Sequence, residues 1–242
     1  MRSPQTRGLR DRRARQLLSK TRLHRSVPAR IDVLSELLLG SPYEANGLVG
    51  SADTPEVLTA SLERFDCVTY VETVLALARA WDPAGFADEL RRIRYVGGEV
   101  EWARRNHYMT DWVLRNARAG FVKPVSAGAL ATRKEKLLNV LPGLPARRAR
   151  FACVPKAKLA TFEPRLRNGD ILLFASTKAG LDVFHCGLLV RKEGSWKLRH
   201  ASRSAGRVVE GELAAFLRAN RMAGVIAVRP LEAAVRAPEG AA

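Results

Sequence analysis

The hydrophobic pattern of the chain changes period near Asn168. Before it, apolar residues recur at helical spacing; after it come short runs of Ile, Val, Leu and Phe. In "FDCVTYVETVLALAR", Val68, Val71, Val74, Leu75 and Ala78 share one face of a helix that Asp82-Pro83 ends. "ARIDVLSELLLG" reads as a helix from about Ile31 to Leu39, with Gly40 as its stop. A short helix is expected near Glu56–Glu63, another over "AGFADELRRIRYVGG" up to Gly97-Gly98, and a further one along "EWARRNHYMTDWVLRNARAGF" to near Gly120. Beyond residue 168, "GDILLFAS", "DVFHCGLLVRK", "SWKLRHAS" and "AGVIAVRPL" read as four strands. "TKAG" and "KEG" supply turns, and "EGELAAFLRAN" a helix before the last strand. Helices first and antiparallel strands later predict an α+β fold, the N-terminal helices packed on a C-terminal antiparallel β-sheet. Residues 121–168 mix prolines with basic and small residues and are expected to wrap as an insertion with one short helix.

At 242 residues the chain can bury one sizeable core. No run approaches the roughly 18 apolar residues of a membrane span, and the first thirty residues lack the apolar stretch of a secretory signal. The net charge of +17 invites a nucleic-acid reading, but residues 1–30 carry ten Lys/Arg against the single acid Asp11, which is +9 of that total. Aromatics for stacking on bases are not interleaved there. A basic tail or solvated helix is the plainer reading; attraction to an anionic polymer, bacterial cell wall included, is the alternative. The expected division is a basic lead over 1–27, a single domain over 28–233 and a tail over 234–242.

Cys67, Cys153 and Cys186 are odd in number and far apart, with no CxxC pair or HExxH motif. No disulfide framework, metal site or cofactor is therefore expected. Asp66 is a favoured helix cap, which would put Cys67 in the first turn, where unpaired N–H groups and the helix dipole stabilise a thiolate. Free cysteine is also among the most buried residue types, so a core thiol and a reactive one both fit. Only four histidines are present. In "DVFHCGLLV", alternation places His185, Gly187 and Leu189 on one face and Phe184, Cys186 and Leu188 on the other, so that Cys186 reads as packing. Gly187 leaves room above the sheet. If the next strand is its neighbour, His200 can reach one ring nitrogen of His185 and leave the other for a thiol, the order of nucleophile, base and orienting group.

"FDCVTYVETVLALAR", "IRYVGGEVEWARRNHYMTDW", "GDILLFASTKAGLDVFHCGLLV" and "LRHAS" together resemble the bacterial N-acetylmuramoyl-L-alanine amidase-like family, of the NlpC-type (papain-like) cell-wall cysteine peptidase superfamily, over roughly residues 28–231. The resemblance implies a papain-like arrangement with Cys67 as nucleophile, His185 as general base and His200 orienting its ring. It implies Tyr43 at the oxyanion and Asp66 at the peptide stem, and offers His107, Tyr108, Asp111 and Trp112 as substrate contacts; Tyr108 and Trp112, four apart, also fit a packed helix stripe. Asp170 is expected to organise a turn. Cys186 stands where the family more usually has an aliphatic residue. The implied activity is cleavage of an amide in peptidoglycan or a muropeptide, at N-acetylmuramoyl-L-alanine or at a γ-D-glutamyl bond, in the cell envelope or periplasm. No specific nucleic acid is expected. The competing class is a non-catalytic basic module that binds nucleic acid or anionic wall polymer.

Overall fold

Capping residues decide where three of the helices begin. The computed structural model describes residues 6–7, by backbone alone, and residues 11–233; the tail expected over 234–242 lies outside them. Helix α1 is Asp11–Ser19. Helix α2, Val27–Leu37, starts four residues earlier than its apolar period suggests, because the Ser26 hydroxyl accepts the Ala29 N–H and Pro28 stands in the first turn. Helix α3, Cys67–Arg79, has a reciprocal cap: Thr69 N–H donates to Asp66 Oδ1 at 2.7 Å, and Asp66 N–H donates to the Thr69 hydroxyl at 2.9 Å. Asp82 caps helix α4, Pro83–Arg94, through the Gly85 N–H, so the Asp-Pro pair that ends one helix opens the next. Helices α5 (Met109–Arg118), α6 (Leu159–Phe162) and α7 (Leu213–Ala219) follow.

The strands are β1 (Thr6–Arg7), β2 (Leu58–Thr59), β3 (Val122–Pro124), β4 (Thr132–Leu138), β5 (Arg147–Cys153), β6 (Ile171–Ala175), β7 (Val183–Lys192), β8 (Ser195–Ser202), β9 (Arg207–Glu212) and β10 (Gly224–Pro230). The main sheet has the order β3-β10-β6-β7-β8-β9, every pairing antiparallel. β4 and β5 form a separate hairpin, and β1 pairs in parallel with β2. The fold is α+β, as the change of period predicts.

Four local expectations are corrected. The segment 56–63 is extended rather than helical, its carbonyl at Thr59 taken by Arg94 at 2.5 Å and its Glu56 by Tyr95 and Arg105. Residues 101–108 hold one 3-10 turn, Trp102–Arg104, rather than the start of a long helix, because side chains bond across them: Asn106 reaches the Ile93 carbonyl and His107 the Trp102 carbonyl. Residues 121–168 hold β3 and the β4–β5 hairpin besides α6. β9 precedes α7, so "EGE" ends a strand.

The main sheet is covered on both faces. On one lie α1 to α5, with Ile31, Leu34, Val71, Val74, Leu75 and Trp112 fully buried against Cys186 and Leu188 of β7; each such aliphatic side chain contributes roughly 1.5–3 kcal/mol by burial. On the other lie α6 and α7, over Leu172, Phe174, Leu189 and Leu198. Ala14, Leu17 and Leu18 of α1 join the first core, so this part of the basic lead is packed rather than a solvated tail. Within that core Arg94 Nε meets Glu72 at 2.6 Å, both side chains 2% exposed, and the Trp112 indole N–H also donates to Glu72. Among the described residues no helix is long and apolar enough to cross a membrane.

Candidate active site

The cap at Asp66 fixes Cys67 as the first residue of α3, half-exposed, at the end of the helix that lies on the main sheet. Its N–H takes no part in the capping box and belongs to a turn whose dipole is positive. The His185 ring, carried by β7, faces the Cys67 side chain. The Cys67 thiol is lowered to about 5: the Cys186 hydrogen bond is the largest cause, burial opposes it, and His185 lowers it further through a hydrogen bond and its charge. A thiol so placed is ionised at neutral pH.

His185 Nε2 lies 2.7 Å from His200 Nδ1 on the neighbouring strand β8, the rings edge to face. His200 is held down to about 4 by burial and by His185, so it is neutral above that pH, and a His185 ring that carries its proton on Nε2 donates to His200 Nδ1. Nδ1 of His185 then remains for the thiol. Gly187 makes this pairing possible: a Cβ there would sit 2.9 Å from the Arg199 carbonyl and 3.0 Å from the His200 Cβ. The room above the glycine is filled by β8 itself.

The simple alternation expected for β7 is broken. Phe174 pairs with His185 but Ala175 pairs with Val183, leaving Phe184 as the extra residue of a bulge. Phe184 therefore shares the His185 face, where both pack with Phe174, and His185 also meets Phe216, while Val183, Cys186 and Leu188 face α3. Cys186 is buried as expected, yet it is not separated from the site: its Sγ donates to the Cys67 carbonyl at 3.2 Å.

Tyr43, in the loop after α2, stands beside the same sulfur; burial first, then Cys67 and Asp66, raise its hydroxyl pKa, so it remains a donor. Asp66 spends one carboxylate oxygen on Thr69 N–H and hydroxyl. Next to the histidines opens a cavity of about 830 Å³, lined among others by Phe184, His185, His200, Arg203, Glu212 and Phe216.

The structure does not bring the "RNHYMTDW" residues into that cavity. Trp112 is fully buried with its indole N–H on Glu72, and Tyr108 is packed with Leu138 and Ala149 under the hairpin. Both pack as the helix stripe that their spacing also permitted. His107 is bonded to the Trp102 carbonyl at 2.7 Å and lies edge-on to the Trp102 ring, and Asp111 is ion-paired with Arg147. Asp170 is fully buried and takes Arg229 and the Arg167 N–H, which is turn organisation. Phe216 and Arg203 were not singled out in the sequence. Phe216 stands in a seven-residue helix too short to show a clear period, and only the fold places Arg203 near Tyr43. No group of three or more His, Cys, Asp and Glu that could hold a metal ion occurs among the described residues.

Residues 33–225 match the family described as N-acetylmuramoyl-L-alanine amidase-like (AmiA-like). No curated protein matches the chain. Among solved structures, a Legionella pneumophila protein of the DUF1460 family model superposes with a TM-score of 0.81 at 20% identity, over 91% of this chain and 94% of that one, a likeness of fold alone. An N-acetylmuramoyl-L-alanine amidase from Bacteroides uniformis gives 0.74 at 26% identity, over 91% of this chain and 100% of that one. A Bacteroides fragilis protein provisionally named a xylanase gives 0.72 at 28%, over 81% and 98%.

Proposed function

The chain belongs to the N-acetylmuramoyl-L-alanine amidase-like family, and we propose that it is a peptidoglycan hydrolase that works outside the cytoplasm through a Cys67–His185–His200 thiolate mechanism of the papain-like kind. The observation that carries this reading is the meeting at one point of a helix-start thiol lowered to about 5 and a histidine whose other nitrogen is fixed by His200 at 2.7 Å.

The Cys67 thiolate attacks the amide carbonyl, forming a C–S bond and an oxyanion. The Cys67 N–H and the Tyr43 hydroxyl are the donors placed to receive that charge. His185, carrying the thiol's proton, protonates the nitrogen as the C–N bond breaks, and the amine leaves. His185 then takes a proton from water, whose oxygen displaces the sulfur from the thioester and releases the acid. His200 keeps the His185 ring in register throughout, as a neutral acceptor. The acyl side of the bond is proposed to be the lactyl group of N-acetylmuramic acid and the amine side L-alanine, in keeping with the family and the B. uniformis neighbour.

A glycosidase reading, suggested by the name of the B. fragilis neighbour, needs two carboxylates about 5–9.5 Å apart across the substrate. Here Glu212 of the cavity is ion-paired with Lys197 and Asp66 is engaged in the helix cap, so we do not adopt it.

Digestion of purified peptidoglycan, with the fragments identified by mass, tests the assignment. New L-alanine amino termini are expected. New diaminopimelate amino termini would make the protein a γ-D-glutamyl endopeptidase instead, and no new amino termini would return the chain to the class of basic binding modules.

A further inference from the structure

The mechanism leaves one buried nucleophilic group beside the site without a role. Cys186 follows the base on β7, is fully buried, and has its Sγ 3.2 Å from the carbonyl oxygen of Cys67. Alternation along β7 places Cys186 and Leu188 on the face that meets α3, and the bulge at Phe184 adds Val183 to it. A valine would fill nearly the same volume but has no proton to give. The Cys67 sulfur belongs to the same residue as that carbonyl and interacts with the Cys186 thiol, so one S–H, free to turn about its Cβ–Sγ bond, can point to either.

We propose that Cys186 is a positioning residue for the nucleophile: its S–H bonds the Cys67 carbonyl while Cys67 is a neutral thiol, and turns to the Cys67 sulfur when that becomes a thiolate. The proposal rests on the reading of Cys67 as nucleophile. A thiol is a weak donor to a neutral carbonyl, but a hydrogen bond to an anion is roughly twice as strong, and the donor Cys186 is itself out of reach of solvent. The two sulfurs share one ionisation: hydrogen bonding to Cys67 and burial hold Cys186 far above the ordinary thiol range, so it stays protonated and remains a donor.

Other charged and titratable groups face the pair from each packed element. Asp66, at the helix cap, opposes the thiolate, and His185 on β7 supports it. Tyr43 and, acting on it, Arg203 lie on the loop side. Glu72, further along α3, acts on Cys186 and is itself paired with Arg94. Because His185 is oriented by a neutral imidazole rather than a carboxylate, its cationic form gains no counter-charge from His200. A donor on the sulfur side supplies stabilisation that the histidine side lacks.

The test is the pH dependence of iodoacetamide labelling at Cys67 in the full chain, read by peptide mass so that Cys153 and Cys186 are counted separately. Wild type, Cys186→Val and Cys186→Ser are compared, with Cys186→Ala in place of valine should that variant fail to fold by circular dichroism. The labelling midpoint of Cys67 should rise by about one pH unit without the donor and return to the wild-type value with serine. An unchanged midpoint, or a rise that serine does not reverse, overturns the proposal and leaves Cys186 as packing. A wild-type midpoint already at that of a free thiol overturns the reading of Cys67 as nucleophile, and this proposal with it.

Discussion

His200 is an unusual third member for a thiol site because burial holds it neutral, at about 4. It can accept from His185 but cannot balance the charge that His185 gains. Its contribution is therefore orientation, and His200→Ala should lower kcat by about 10²-fold with little change in KM, measured by steady-state release of peptide from peptidoglycan. The sequence made the Cys67, His185 and His200 cluster readable because each sits in an element with a strong local signature: an Asp cap before an apolar helix, and two alternating strands joined by a short turn. It could not reveal Cys186 as a neighbour of Cys67. Alternation puts residues 185 and 186 on opposite faces, and only the packing of α3 on the Cys186 face brings the Cys67 carbonyl to that thiol.

At the scale of elements, the β7–β8 pair is the part most sensitive to its detail. β8 can approach closely enough for the two imidazoles to bond only because position 187 has no side chain, and backbone at Arg199 leaves no room for one. Gly187→Ala should cost roughly 1–3 kcal/mol as an overpacked site, read by urea unfolding, and should lower activity by more than His200→Ala does, since it displaces both rings. Retention of full activity in Gly187→Ala would mean that the pairing of the rings is not used. Elements whose apolar period was strong, α3 and the four long strands, were legible. The β4–β5 hairpin was not: its alternate positions are Arg133, Glu135 and Leu137 facing Arg148 and Arg150, so there is little apolar contrast to detect. The turns over 101–108 are not legible because the bonds that hold them come from side chains, Asn106 reaching the Ile93 carbonyl of α4 and His107 reaching back to the Trp102 carbonyl.

For the whole molecule, two histidines tie stability to pH. His107 and His200 are both lowered to about 4, chiefly by burial, from an ordinary value of 6.5. The unfolded chain thus binds protons between these values that the folded chain refuses. Their contribution to stability is full above about pH 6.5 and is lost as the pH falls through 4, roughly 2–3 kcal/mol for the more deeply buried His200. Urea midpoints should fall across this window in wild type and less steeply in a His107→Gln, His200→Gln double variant. The thiolate of Cys67 gives activity an acid limb of its own, near pH 5. Charge was legible as an amount but not as a place: α1 carries part of the basic lead into the core through Ala14, Leu17 and Leu18, which composition alone does not disclose. The most direct measurement is the rate at which wild type and Cys67→Ala release peptide from purified peptidoglycan, with equal thermal melting showing that both are folded. Release by wild type and a fall of at least about 10³-fold in the variant is the predicted result; equal release by a folded Cys67→Ala would contradict a thiolate mechanism at this site.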